Sequence, residues 1–281
     1  MTSAPLYGDV RVSPADLSSA PVSRARGRLR AASWRLIRTD RELRWLPVLA
    51  TFSALAFGFV VFTVAFLVTW FALSMQAVAL AVGAAAAVLS LPVTMAFWQC
   101  AAVLGATARA EGRSPELADV LADAWTQYGP ALRWTSVVMT RGRGLSSAPS
   151  DWVRTSSLGL PVAVLEGLDA GTATRRSASL VTSTWRGGDV VSLRARLLPA
   201  LLAAPGVLAI AGGVSMLTAN RATTPSGSFA EGALLCLLGV VALVHLAMTY
   251  ASVSAYGRTL AYRHATLRAV PEVDAAVFAA C

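Results

Sequence analysis

Residues 45–108 read WLPVLATFSALAFGFVVFTVAFLVTWFALSMQAVALAVGAAAAVLSLPVTMAFWQCAAVLGATA, 64 consecutive residues without an Asp, Glu, Lys or Arg. The hydrocarbon core of a bilayer is about 30 Å thick and takes about 20 helical residues to cross. The stretch is long enough for two crossings, and no soluble core needs so long a charge-free run. It divides at the uncharged hinge Thr69–Met75, which carries Trp70, an aromatic suited to a membrane interface. The predicted spans are Leu46–Val68 and Gln76–Ala106, with Pro92 in the second as a kink site because it removes one helical hydrogen bond.

Two further spans follow from the remaining charge-free gaps. Leu197–Thr218 lies between Arg196 and Arg221 and holds Pro199, Pro205, Gly206, Gly212 and Gly213, so a bent helix is expected. Gly232–Gly257 lies between Glu231 and Arg258. The composition agrees: 56% of residues are hydrophobic and only 14% charged, against roughly 25% in soluble domains. The net charge of +9 does not indicate a nucleic-acid partner, because the cations sit beside the apolar stretches rather than on a separable domain. All 24 basic residues are Arg, which reads as coding bias rather than a demand for guanidinium.

Orientation follows from the Arg residues near span ends. With four spans, both termini and the central loop share one face. That face carries Arg26, Arg28, Arg30, Arg35, Arg38, Arg41, Arg44, Arg109, Arg113, Arg186, Arg194, Arg196, Arg258, Arg263 and Arg268, whereas the other has Arg221 alone. The Arg-rich face is expected to be cytoplasmic, which makes this a multi-pass inner (plasma) membrane protein with both termini inside.

The expected organisation is all-α: a four-helix polytopic membrane bundle with a small helical cytoplasmic insertion. Residues 1–22, rich in Ser, Pro and Ala, read as a disordered tail. Residues 23–44 read as a basic amphipathic interfacial helix, with Leu29, Ala32, Leu36 and Ile37 at helical spacing. Thr39 and Glu42 match a capping box where the chain enters the membrane. Residues 45–108 and 197–257 hold two spans each, 109–196 form the cytoplasmic loop, and 258–281 a cytoplasmic tail.

Within the loop, Ser114-Pro115-Glu116 reads as a helix start with Ser114 as N-cap and Pro115 at the first helical position. The apolar face would be Leu117, Val120, Leu121, Ala124, Trp125 and Tyr128. A second helix is expected after Asp169, with Ala173, Ser177, Leu180, Val181 and Trp185 on one side. Glu111-Gly112 and Glu166-Gly167 precede the two helices and hint at an internal duplication, although the following Trp lies 14 residues away in one case and 19 in the other.

SWRLIRTDRELRWLPVLA (33–50), EGRSPELADVLADAW (111–125) and LPVAVLEGLDAGTATRRSASLVTSTW (160–185) resemble landmarks of a bacterial family of multi-pass integral membrane proteins of unknown function. The likeness covers most of 33–257. The resemblance implies six spans, yet between Trp134 and Leu160 this chain has Arg141, Arg143, Asp151 and Arg154 and no run long enough to cross. The middle pair of spans is therefore missing, with Leu158–Leu165 as a remnant at the interface or packed on the loop helices. The resemblance supplies no substrate and no catalytic residue.

Candidate sites are few. His245 is the one histidine in a predicted span, and an ionisable group at that depth is a functional hypothesis by default. With Gln99 and Tyr250 it makes a candidate intramembrane polar cluster. The competing reading is an interhelical hydrogen bond worth about 0.6 kcal/mol. Arg175, Arg176, Arg194 and Arg196 are candidate contacts for lipid phosphate, and generic attraction of each to an anionic leaflet is worth about 1 kcal/mol. Gly142-x-Gly144 lacks the strand and helix of a phosphate loop and reads as a connector. Ala79, Gly83 and Ala87 make a small-residue stripe for close helix packing, within the monomer rather than at a dimer seam. Cys100, Cys236 and Cys281 are too far apart for a disulfide framework or zinc site.

No cofactor, metal or catalytic constellation is expected, and so no enzyme. The leading expectation is a non-catalytic membrane protein of structural or accessory role. Its partners would be anionic lipids of the inner leaflet and another membrane or cytoplasmic protein met through 109–196. The alternative is passage or binding of a lipid-like or apolar solute between bent spans. That requires a mid-membrane cavity lined by Gln99, His245 and the 199–213 region. An enzyme acting on lipid headgroups ranks third and requires perturbed acids near Glu166, Asp169 or Asp189.

Overall fold

The computed structural model describes residues 43–114, 116–141, 156–185, 194–219 and 227–266. The predicted 1–22 tail, the 23–44 interfacial helix up to residue 42, the capping box, the Gly142–Gly144 connector and residues 267–281 of the C-terminal tail lie outside these residues. Every regular element described is helical. A turn of 3-10 helix, Leu43–Trp45, leads into α1 (Leu46–Leu73), which is followed by α2 (Gln76–Ala110), α3 (Leu117–Thr126), α4 (Tyr128–Arg141), α5 (Gly159–Leu165), α6 (Ala170–Trp185), α7 (Arg194–Ala219) and α8 (Gly227–Ala265).

Three helices are long and apolar enough to cross a membrane: α1 with its leading turn, α2, and α8 from Glu231 onward. Pro47 sits in the first turn of α1, where its missing N–H costs nothing. Ser74 ends α1 in the left-handed region at φ 52°, its N–H bonded to the Trp70 carbonyl at 2.8 Å. Only Ser74 and Met75 link α1 to α2, so the predicted hinge over 69–75 is too long. Residues 69–73 stay helical because, with no charge or breaker among them, nothing stops helical hydrogen bonding earlier. Pro92 lies inside α2, and the helical assignment continues through it.

The long helices overrun their predicted ends. The 35 residues of α2 make a helix about 52 Å long, and the 39 of α8 one about 58 Å long, at 1.5 Å per residue. Each exceeds a 30 Å hydrocarbon core by about 20 Å or more. At one end the surplus forms a pair of stems, whose last parts are α2 reaching Ala110 instead of Ala106 and α8 reaching Ala265 instead of Gly257; α8 also begins earlier, at Gly227 instead of Gly232. The stems stay helical because the short helices α3–α6 pack around them.

Burial divides the molecule accordingly. The fully buried large side chains are Leu43, Trp134, Leu158, Leu160, Tyr256, Leu260 and Tyr262 with their neighbours, all at the stem end. Toward the other end the bundle exposes Phe52, Phe59, Phe71, Leu89, Leu208 and Leu237, as surfaces facing acyl chains do. The remnant helix α5 is buried from Gly159 to Val164 and belongs to the stem-end core, packed on α2, α4, α6 and α8.

α3 begins two residues later than predicted. Glu116, not Ser114, is the N-cap, its backbone extended at φ −71°, ψ 136°. Val120 and Ala124 are buried as expected, but Trp125 is 74% exposed. α6 starts at Ala170 as predicted. Asp169 accepts hydrogen bonds from the Gly171 and Thr172 N–H groups at 3.1 Å, and Ala173, Ser177, Leu180 and Val181 face inward.

α7 and α8 form an antiparallel pair with a glycine seam. Gly206 opposes Gly239 and Leu243, and Gly213 opposes Gly232 and Cys236. On each helix the glycines are seven residues apart, two turns along one face. The Ala79–Gly83–Ala87 stripe of α2 faces α1, where a Cβ on Gly83 would meet Phe62 at 3.0 Å.

Candidate functional site

Two places combine polar chemistry with close packing. The first is at the tips of the stems. Glu111 caps the end of α2 and Glu166 the end of α5, and each is followed by a glycine with positive φ, 75° at Gly112 and 66° at Gly167. A left-handed residue after a helix C-cap is the place where glycine avoids the Cβ clash. The turn returns the chain and leaves each carboxylate beside the end of α8. There, consecutive residues are caught by the two turns. The Tyr262 hydroxyl donates to Glu166 Oε1 at 2.8 Å, and Arg263 Nη1 donates to Glu111 Oε1 at 3.0 Å.

Each carboxylate also meets a local arginine. Arg113 Nη2 donates to Glu111 Oε2 at 2.7 Å, and Arg176 Nε lies 3.5 Å from Glu166 Oε2. The two Glu-Gly pairs therefore share one turn geometry. The Arg113 guanidinium, and after it that of Arg263, hold the Glu111 carboxyl below its ordinary value of 4.5 against an opposing effect of burial. A depressed folded-state pKa stabilises above the unfolded value and is lost as pH falls through the folded one. Because Glu111 is 37% exposed, Glu111→Gln is expected to cost only about 1 kcal/mol near neutral pH. That difference should fade below pH ~4.5, as read from thermal unfolding in detergent at a series of pH values.

The second place is within the bundle. His245 Nδ1 lies 2.9 Å from Thr51 Oγ1, and the Thr51 hydroxyl donates to the Pro47 carbonyl at 2.7 Å. The Thr51 hydroxyl thus stands between the Pro47 carbonyl and His245, and the imidazole tautomer sets which of Thr51 and Nδ1 donates. One level further in, Trp98 Nε1 donates to Ser53 Oγ at 2.6 Å. These bonds tie α1 to α8 and to α2. The predicted trio does not form one face: His245 and Tyr250 are five residues apart on α8, which places them about 140° apart around the helix. Gln99 is half-buried on α2, and the His245 ring is bonded to Thr51.

The remaining candidates are dispersed. Arg175 is exposed and donates to Thr172 Oγ1 at 3.2 Å, while Arg176 belongs to the Glu166 pair; the side chains of Arg194 and Arg196 lie outside the described residues. Asp169 serves as a helix cap, and hydrogen bonds from Thr172, foremost, and Gly171 hold its carboxyl low. A cavity of about 250 Å³ between the α2 stem and α3 is lined by Thr107, Arg113, Ser114, Glu116, Asp119 and Asp123. Among the described residues no group of three or more His, Cys, Asp and Glu is placed to hold a metal ion.

The chain matches no family model, no curated protein and no solved structure. Its reading therefore rests on geometry alone. Sequence reasoning missed the stem-tip clamp because its partners are 96 and 152 residues apart. The Glu-Gly pairs were the one signal that pointed to it.

Proposed function

We propose that the protein is a four-span inner-membrane protein of structural or accessory role, with the helical cap on its stems as its partner-facing part. The observation that carries this reading is the separation of a bundle with an exposed apolar surface from a tightly packed cap, with Glu111–Arg263 tying the two stems to each other and Glu166–Tyr262 tying α5 of the cap to the α8 stem. A cap held in this way is a rigid platform.

The fourth span is α7. Its 26 residues make a helix about 39 Å long, its described side chains include the apolar run Leu202–Met216, and the glycine seam lays it along α8. Small residues that let backbones meet are how membrane helices associate where no hydrophobic effect separates helix from lipid. The cap faces the cytoplasm, supported by Arg44, Arg109, Arg113 and Arg263 at the stem end. The likeness to the six-span family is part of the same proposal. Here the end of α4 and the seven-residue α5 are the helical structure described where its middle spans would lie.

The solute-passage alternative is disfavoured by the same seam. Its cavity would have to include the 199–213 region, but Gly206 and Gly213 meet the backbone of α8 directly. The topology is tested by thiol labelling of intact cells in a Cys281→Ser background. A membrane-impermeant maleimide should label Thr223→Cys, between α7 and α8, and spare Thr182→Cys on the cap until the cells are opened. Labelling of Thr182→Cys in intact cells overturns the orientation, and equal protection of both positions overturns the fourth span. The accessory role predicts that the full chain binds a protein partner in native membranes through the cap, without solute flux in reconstituted vesicles.

A further inference from the structure

α3 and α4 form a helical hairpin whose direction relative to the membrane is fixed by its contacts with α2. Val120, early in α3, lies within 4 Å of the position a Cβ on Gly105 would take. Further along, the Cys100 thiol meets the carbonyls of Ala124 and Gln127 at 3.8 and 3.6 Å. At the tip the Trp125 and Tyr128 rings pack on Phe97, centroids 6.1 and 6.0 Å away, and the Tyr128 hydroxyl donates to the Val93 carbonyl at 3.0 Å. As α3 advances from 120 to 128, its partners on α2 run backward from 105 to 93. α3 therefore descends along the stem toward the bundle, and its junction with α4 is its lowest point.

The depth of the tip follows from helix geometry. α1 and α2 turn at Ser74–Met75, and Phe97 is 21 residues from Gln76, about 31 Å along α2. That distance equals the thickness of a hydrocarbon core. Val93, which holds the Tyr128 hydroxyl, is about 26 Å along. On α1, Phe52 marks the same level, since its neighbour Ser53 is bonded to Trp98, and Phe52 is 70% exposed on a span.

Trp125 is 74% exposed, and among the described residues it is the one exposed large hydrophobic outside α1, α2, α7, α8, the turn leading into α1 and the link between α1 and α2. It is stacked on Tyr128 with centroids 6.4 Å apart and planes 9° apart. The acids of α3, Glu116, Asp119 and Asp123, lie around the cavity higher on the stem. An indole and a phenol side by side at the hydrocarbon boundary are the chemistry of an interfacial anchor.

We infer that the α3–α4 hairpin is a membrane-dipping element: its tip, Trp125–Pro130, inserts into the boundary of the inner leaflet, with lipid as the occupant of the exposed Trp125–Tyr128 face. The inference rests on α1, α2 and α8 being membrane spans. It makes the cap a part seated on the lipid surface rather than one standing free on stems.

The test is photo-crosslinking of the full chain in vesicles of phosphatidylethanolamine and phosphatidylglycerol. Trp125→p-benzoylphenylalanine is compared with the same replacement of Phe59, exposed mid-span, and of Thr182, exposed on α6 in the cap. Mass spectrometry should find phospholipid adducts at 125 and 59 and at least tenfold fewer at 182. Adducts at 59 but none at 125, or protein in place of lipid adducts at 125, overturn the hairpin inference while leaving the spans intact. No lipid adduct at 59 overturns both. A second measurement leaves the fold unperturbed at this position: the fluorescence that Trp125→Phe removes should be quenched in wild type by lipid brominated near the headgroup. Unquenched emission overturns the inference.

Discussion

Gly159→Ala is expected to be the most damaging single methyl in the protein. A Cβ at this position would overlap the six-membered ring of the Trp134 indole. Trp134 is itself among the largest fully buried side chains, so the ring has nowhere to go. Gly159 opens the seven-residue helix α5, all but the last residue of which is buried between α4, α6 and the stems. Overpacking of a full core costs about 1–3 kcal/mol and occasionally more, and this contact belongs at the top of that range. The expected result is a cap that unfolds separately from the bundle, seen as an early transition in detergent and as new protease sites in 156–185. Trp134→Leu should be destabilising alone, through the cavity it leaves. Combined with Gly159→Ala it should recover part of the loss, because the new methyl fills some of that space. If the double variant is no better than the sum of the two singles, the clash is not the cause.

The bundle was legible in the sequence where the bilayer itself writes the rule. A long charge-free run with arginine at its ends has few other physical readings, and α1, α2 and α8 fall where those runs are. The start of α6 was legible as well, since Asp169 is a strong N-cap and its bonds to Gly171 and Thr172 are local. The helices that were not legible lack periodicity of their own. α5 is short and buried on all sides, so no polar face marks it as a helix. α4 opens with Tyr128-Gly129-Pro130, which reads as a turn, although a proline in the first helical turn is tolerated.

The sites were harder still. Thr51 and His245 are 194 residues apart, and only the packing of α1 on α8 brings them together. Periodicity placed Trp125 on the buried side of α3, because spacing alone cannot show that the hairpin tip outruns the surface it packs on. The seven-residue spacing of Gly206 with Gly213, and of Gly232 with Gly239, was visible. In the third span Gly206 and Gly213 read, with its prolines, as a sign of bending. Read as a pair, the spacing specifies a seam.

Gly239→Val should break that seam. A Cβ there would meet the Gly206 carbonyl oxygen at 2.6 Å and Ile210 Cγ1 at 2.7 Å. The first of these is backbone, which cannot rotate aside as a side chain can, so the helices must separate or shift in register. In a membrane no hydrophobic effect between helices opposes separation, and association rests on the close contacts the substitution removes. The cost should be about 2–3 kcal/mol or more, at the high end of overpacking. The first structural consequence should be loss of the Cys236 thiol contact with the Ile210 carbonyl, now 3.6 Å. Cys236 is half-buried at this contact, so its alkylation by a membrane-permeant maleimide should rise severalfold. Cys100, buried at the stem end and packed on α3, serves as the internal reference and should stay unreactive. Gly212→Val, one residue from Gly213 but with open space around its Cβ, should leave Cys236 protected. If both valines expose Cys236 equally, close packing of α7 on α8 is not what holds the pair together.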